Sequence, residues 1–146
     1  MFQDINNILN RDKIYNSIKE ELDFFEKNKE KIDINRGFYI YGNSGVGKTT
    51  FIVNLLNKLD YKIIKYDAGD IRNKNVIENI SKNNMTDKSV VSMFNYKPKK
   101  IAIIMDEIDG MNNGDKGGIN ALIKLLRAKK TKKQKLEDTT SVPIIC

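Results

Sequence analysis

The sequence predicts an α/β fold of three layers, with helices packed on both faces of a parallel sheet. Three observations predict it. Short apolar runs that read as strands alternate with longer runs of helical period, the order that gives parallel strands joined by helices. The run Ile101-Ala102-Ile103-Ile104-Met105 is apolar throughout, as a buried strand is, and it ends abruptly in Asp106 and Glu107. Gly42-Asn43-Ser44-Gly45-Val46-Gly47-Lys48-Thr49 fits the phosphate-loop pattern G-x-x-x-x-G-K-[ST] and stands between an expected strand and an expected helix.

Residues 11–31 read as a helix, because Ile14, Ile18, Leu22 and Phe25 recur at helical spacing with charges between them. Residues 37–41 read as the first buried strand. Residues 48–59 read as a helix with Phe51, Ile52, Leu55, Leu56 and Leu59 on one face. A second strand is expected at 61–66, a turn at 67–70 and a helix at 71–81. Residues 82–99 are polar and poorly periodic and are expected as loop, with a short helix around 90–94. The third strand is 101–105. Gly117-Gly118 opens another helix with Ile119, Leu122, Ile123 and Leu126 apolar. Residues 128–140 read as a charged loop, and Val142-Pro143-Ile144-Ile145-Cys146 begins a fourth strand. Residues 1–36 are taken as a helical lead-in and 37–146 as the nucleotide-binding core.

The chain's 146 residues suffice for one domain with a real core. With 40% apolar and 31% charged residues, the composition is that of a globular protein. No apolar run approaches the roughly 18 residues that a membrane span needs. Met1-Phe2-Gln3-Asp4 lacks a basic start leading into an apolar stretch, so no signal peptide is expected. A lone cysteine, Cys146, fits a reducing compartment. There is no histidine, which removes His-based acid–base chemistry and most zinc sites and leaves carboxylates, lysines or tyrosines as bases. The net charge of +7 is uneven: residues 37–100 carry eleven basic and five acidic side chains, and residues 127–146 six and two. Such localised basic charge is compatible with nucleic acid, although lysine is used heavily throughout.

The two motifs describe a site for a nucleoside triphosphate, a divalent metal and an attacking water. Phosphate oxygens must meet several backbone N–H groups at once, which demands a tight concave backbone that side chains would obstruct. The helix that follows turns its positive end to the anion. Lys48 is expected at the terminal phosphates, and Thr49 offers its hydroxyl to Mg²⁺. Asp106, at the carboxyl end of the third strand, is the candidate to hold the metal, and Glu107 to orient and polarise the water.

Met105-Asp106-Glu107-Ile108-Asp109-Gly110-Met111, then Asp115-Lys116-Gly117-Gly118-Ile119, then Val142-Pro143-Ile144-Ile145-Cys146, resemble the large subunit of replication factor C, a sliding-clamp loader. Asp67-Ala68-Gly69-Asp70-Ile71-Arg72 is similar to that family's Asn-Ala-Ser-Asp-x-Arg segment, with Asp67 and Gly69 departing from it. The resemblance covers residues 37–146 and implies a P-loop NTPase fold of the AAA+ type, with the first strand between the fourth and a fifth, so that without the fifth residues 37–41 are expected at an exposed edge. It implies ATP and Mg²⁺ as cofactors. It implies an ATP-driven role in DNA replication, with other clamp-loader subunits, a sliding clamp and primer–template DNA as partners. An intracellular location at the site of replication follows, in the nucleus or at a viral replication site, with no membrane and no secretion. Carried over, Gly42, Asn43, Ser44, Gly45, Val46, Gly47, Lys48, Thr49 and Thr50 bind ATP, Thr49 and Asp106 serve Mg²⁺, and Glu107 with Lys48 supports hydrolysis. The helix beginning near Gly117 faces the DNA channel in that family.

The sequence stops where the family places a polar sensor, before a fifth strand, helical lid and collar, so weak turnover by the isolated chain is expected. The basic run Lys129, Lys130, Lys132, Lys133 and Lys135 reads either as a solvated insertion or as a contact to DNA phosphates. It has no interleaved aromatics to stack on bases. Alternatives to clamp loading are a non-catalytic nucleotide-binding subunit of a replication complex and a different AAA+ machine such as a helicase loader.

Overall fold

The structure, a computed structural model, describes residues 11–67, 100–110, 116–136 and 142–146. The expected turn beyond Asp67, the helix at 71–81 and the loop at 82–99 lie outside these residues. In chain order the elements are α1 (Asp12–Asn28), β1 (Gly37–Phe38), α2 (Lys48–Lys58), β2 (Tyr61–Tyr66), β3 (Lys100–Met105), a 3₁₀ turn (Ile108–Gly110), α3 (Lys116–Leu126), α4 (Lys132–Lys135) and β4 (Ile144–Ile145).

The four strands form one parallel sheet in the order β1-β4-β3-β2. β2 and β3 pair along their full length, from Tyr61 opposite Lys100 to Tyr66 opposite Met105. The short β1–β4 ladder continues past its formal ends: Cys146 N donates to Phe38 O, and Ile40 N to Cys146 O, both at 2.8 Å. β3 therefore lies inside the sheet, and its residues from Ala102 to Met105 are buried. This is why that run carries no polar residue until it leaves the sheet.

Successive residues of a strand face opposite sides, and the core divides accordingly. Ala102, Ile104 and Ile145 pack with Leu22 of α1 and with Phe51, Ile52, Leu55 and Leu56 of α2. Ile103, Met105 and Ile144 pack on the other face with Leu122 and Leu125 of α3 and with Val142. The expected three layers are present, and α1 belongs to the same apolar cluster as α2. Gly37 lets α3 approach closely, since a Cβ there would stand 3.2 Å from the Leu126 side chain.

Several local expectations are corrected. Ile14 is 54% exposed and Ile123 52% exposed, because α1 and α3 each bury a narrower stripe than their apolar residues mark out. Leu125, which the sequence reading passed over, is buried instead. Residues 37–41 do not form a strand buried throughout. β1 stands at the sheet edge, and Tyr39 and Tyr41 are exposed there with their rings stacked at 6.0 Å. The charged segment after α3 holds one helical turn, α4, closed by a capping box. Gln134 N donates to Thr131 Oγ1, and the Gln134 side-chain oxygen accepts from Thr131 N.

Candidate active site at the carboxyl ends of the strands

The loop after β1, the start of α2 and the end of β3 meet at the carboxyl edge of the sheet, where open α/β folds bind ligands. A cavity of about 690 Å³ opens between them, lined by Gly42, Ser44, Gly45, Gly47, Lys48, Thr49 and Thr50 on one side and by Asp106 and Glu107 on the other. The loop geometry depends on Gly45 and Gly47, at φ +77° and +78°. An L side chain there would be strained, and Gly47 is also the residue that starts α2.

Lys48 folds over the loop, its Nζ donating to the carbonyls of Gly42 (2.9 Å) and Asn43 (3.0 Å). This holds a positive charge at the mouth of the loop. Thr49, one residue into α2, reaches across to β3: its hydroxyl lies 3.0 and 3.1 Å from the two carboxylate oxygens of Asp106. The Glu107 backbone N–H donates to the same carboxylate at 3.2 Å. Lys65, on β2, pairs with Asp106 Oδ2 at 2.9 Å. The Lys65 hydrogen bond, aided by those from Thr49 and Glu107 N–H and by the lysine's charge, holds the Asp106 carboxyl below its ordinary range, against the opposing effect of partial burial. Glu107 is exposed at the cavity and has φ +55°, a left-handed backbone that costs a non-glycine residue on the order of 1–2 kcal/mol. Strain of this kind concentrates where a side chain must be presented.

The donors suit a hard divalent cation. Magnesium prefers oxygen and is held by one or two carboxylates with phosphates and water rather than by an all-protein cage. The Thr49 hydroxyl and the Asp106 carboxylate, side by side, are such a set.

The structure thus gathers Gly42, Ser44, Gly45, Gly47, Lys48, Thr49, Thr50, Asp106 and Glu107 around one cavity, whereas Asn43 and Val46 do not line it and are held through their carbonyls by Lys48 and Arg11. It does not gather the basic run. Lys129 is buried, 1% exposed, with Nζ donating to the Lys124 carbonyl at 2.7 Å near the end of α3. The low dielectric around a paired, buried ammonium fixes it as a helix-end contact, and it is withdrawn from the DNA-facing set. Lys130, Lys132, Lys133 and Lys135 are exposed.

Two site residues escaped the sequence reading. One is Lys65, an unremarkable lysine in a strand. The other is Arg11, whose Nη2 donates to the Val46 carbonyl at 2.6 Å while its guanidinium lies 5.7 Å from the Phe51 ring centre.

The sequence model of the family described as "ATPase family associated with various cellular activities (AAA)" matches residues 38–146. The chain belongs to this AAA ATPase family. Replication factor C subunit 1 of Saccharomyces cerevisiae is 35% identical over 115 residues, which is 74% of this chain and 13% of that protein. The replication factor C large subunit of Methanococcus aeolicus is 33% identical over 113 residues, 77% of this chain and 23% of the relative. Replication factor C subunit 1 of Homo sapiens is 33% identical over 111 residues, 72% and 9%. This AAA ATPase therefore resembles large subunits of replication factor C and spans less than a quarter of the length of these relatives. Among its described residues no helix is long and apolar enough to cross a membrane.

Proposed function

We propose that this chain is the ATP-binding and hydrolysing module of a DNA sliding-clamp loader acting in DNA replication. The observation that carries the chemistry is the Thr49–Asp106 contact, which joins the phosphate loop to the acidic strand end across 57 residues. The clamp-loading assignment is supported by the Asp106-Glu107-Ile108-Asp109-Gly110-Met111 string and by relatives named replication factor C.

In this reading the backbone of residues 42–50 cradles the triphosphate, and Lys48 leaves its loop carbonyls for the terminal phosphates. Thr49 and Asp106 hold Mg²⁺, which when bound neutralises charge on the phosphates during transfer to water. Glu107 orients that water and takes its proton. The partners are other loader subunits, a sliding clamp and primer–template DNA, at the intracellular site of replication. Lys130, Lys132, Lys133 and Lys135 supply phosphate contacts to the DNA.

The test is nucleotide binding and turnover, with and without primed DNA, clamp and small loader subunits. Lys48→Ala should lose binding. Glu107→Gln should keep binding and lose turnover. Turnover by the isolated chain should be weak and should rise in the assembly. Turnover untouched by Glu107→Gln would reject the catalytic assignment, and indifference to clamp and DNA would reject clamp loading. For the lysines, replacement of all four by Ser should flatten the salt dependence of DNA binding, and an unchanged slope would remove them from the interface.

A further inference from the structure

The carboxylate assigned to the metal already has a cation of this chain upon it. Lys65 Nζ lies 2.9 Å from Asp106 Oδ2, on the same carboxylate that accepts the Thr49 hydroxyl. The pairing follows from the sheet. β2 is the neighbour of β3, and Lys65 stands opposite Ile104, close to where Asp106 leaves the strand. Of the other cations of the site, Lys48 is engaged with the Gly42 and Asn43 carbonyls and Arg11 with the Val46 carbonyl, so Lys65 alone among the described lysines neutralises Asp106. The Lys65 side chain is half exposed, so its ammonium can withdraw into water without leaving a buried charge behind. A divalent cation at Asp106 and an ammonium on the same oxygen repel each other, and one must give way.

We propose that Lys65 is a resident counter-cation of the metal site: it holds the Asp106 carboxylate until a divalent cation displaces it, and so sets the metal concentration the site requires. The proposal rests on the reading of Asp106 as the metal-holding acid. Lys65 is a positioning residue. It keeps the carboxylate oriented and neutralised before metal arrives, and it opposes metal binding by the same charge.

The experiment is Mn²⁺ binding to the full chain in saturating ADP, read from the electron paramagnetic resonance of free Mn²⁺. Lys65→Met and Lys65→Gln should each bind Mn²⁺ about two- to fivefold more tightly than the parent, the range expected for losing one half-exposed charge pair. Lys65→Arg, which keeps the charge, should match the parent. Circular dichroism verifies that each variant is folded. Equal or weaker Mn²⁺ binding in folded Lys65→Met and Lys65→Gln would overturn the role of Lys65 while leaving the metal site standing, provided Asp106→Asn loses the ion. Parent-like Mn²⁺ binding by Asp106→Asn would instead overturn the metal site and the proposal with it.

Discussion

Arg11 and Val46 are joined by a 2.6 Å hydrogen bond from the guanidinium to the loop carbonyl, across 35 residues. The contact ties the residue before α1 to the phosphate loop, and packing on Phe51 of α2 steadies the guanidinium. A loop that must present its N–H groups together gains from any bond that fixes one of its carbonyls outward. Arg11→Ala should leave the fold intact and weaken nucleotide binding about three- to tenfold, the range of one charge-assisted hydrogen bond at an exposed site. Titration with a fluorescent nucleotide measures this, and parent-like affinity would exclude the bracing role.

Thr49 gives a sharper separation. Thr49→Val keeps the shape of the side chain and removes the donor to Asp106. Nucleotide affinity in Mg²⁺ should fall about tenfold, and affinity in EDTA should stay near that of the parent. An equal loss in both buffers would mean that Thr49 serves the fold of the loop and not the metal.

Glu107 occupies left-handed backbone at φ +55°. Glu107→Gly should therefore remove turnover and at the same time raise stability by about 0.5–1 kcal/mol, since the relieved strain slightly exceeds the added chain entropy. Paired urea melts decide it. Destabilisation by a full kcal/mol would contradict the strain.

Arg36 is a test of the scaffold. It is 1% exposed, and its guanidinium donates to the carbonyls of Lys31 and Ile34, each at 2.8 Å. Burial lowers its pKa, and the nearby charge of Asp33 offsets part of that. Arg36→Met leaves those carbonyls without their donor and should cost about 2–4 kcal/mol. A cost under about 1 kcal/mol in urea melts would show that the segment re-satisfies itself with water.

The alkaline side of the stability profile should report Cys146. Burial pushes its thiol up to about 11 from an ordinary value of 9.0. The folded state then keeps a proton that the unfolded chain releases. Its stabilising contribution is complete below pH 9 and is lost as pH rises through about 11. Urea midpoints should fall from pH 8 to pH 10 less steeply in Cys146→Ser than in the parent. Parallel profiles would exclude the thiol as a source.

Much of the fold was legible in the chain. α2 falls where periodicity put it, because it hides one apolar face of helical period. β2 falls on its apolar run, with Tyr61 and Ile63 packed on one face of the sheet and Ile64 and Tyr66 on the other. The loop and the acid pair were legible for a different reason: their chemistry demands particular residues at fixed spacing. Lys129 was misread because a lysine in a basic run carries no mark of whether it snorkels to water or caps a helix. Ile14 and Ile123 were misread because the width of a buried stripe depends on what packs against it.

By itself the sequence determined the α/β class, the phosphate loop, the two acids and the family, all properties of neighbouring residues and short spacings. Only the tertiary structure decided that β3 stands between β2 and β4, that Thr49 meets Asp106, that Lys65 shares that carboxylate, and that Arg11 bonds to the loop. Such pairs are set by strand order and helix packing. They join residues far apart in the chain, and no local periodicity encodes them.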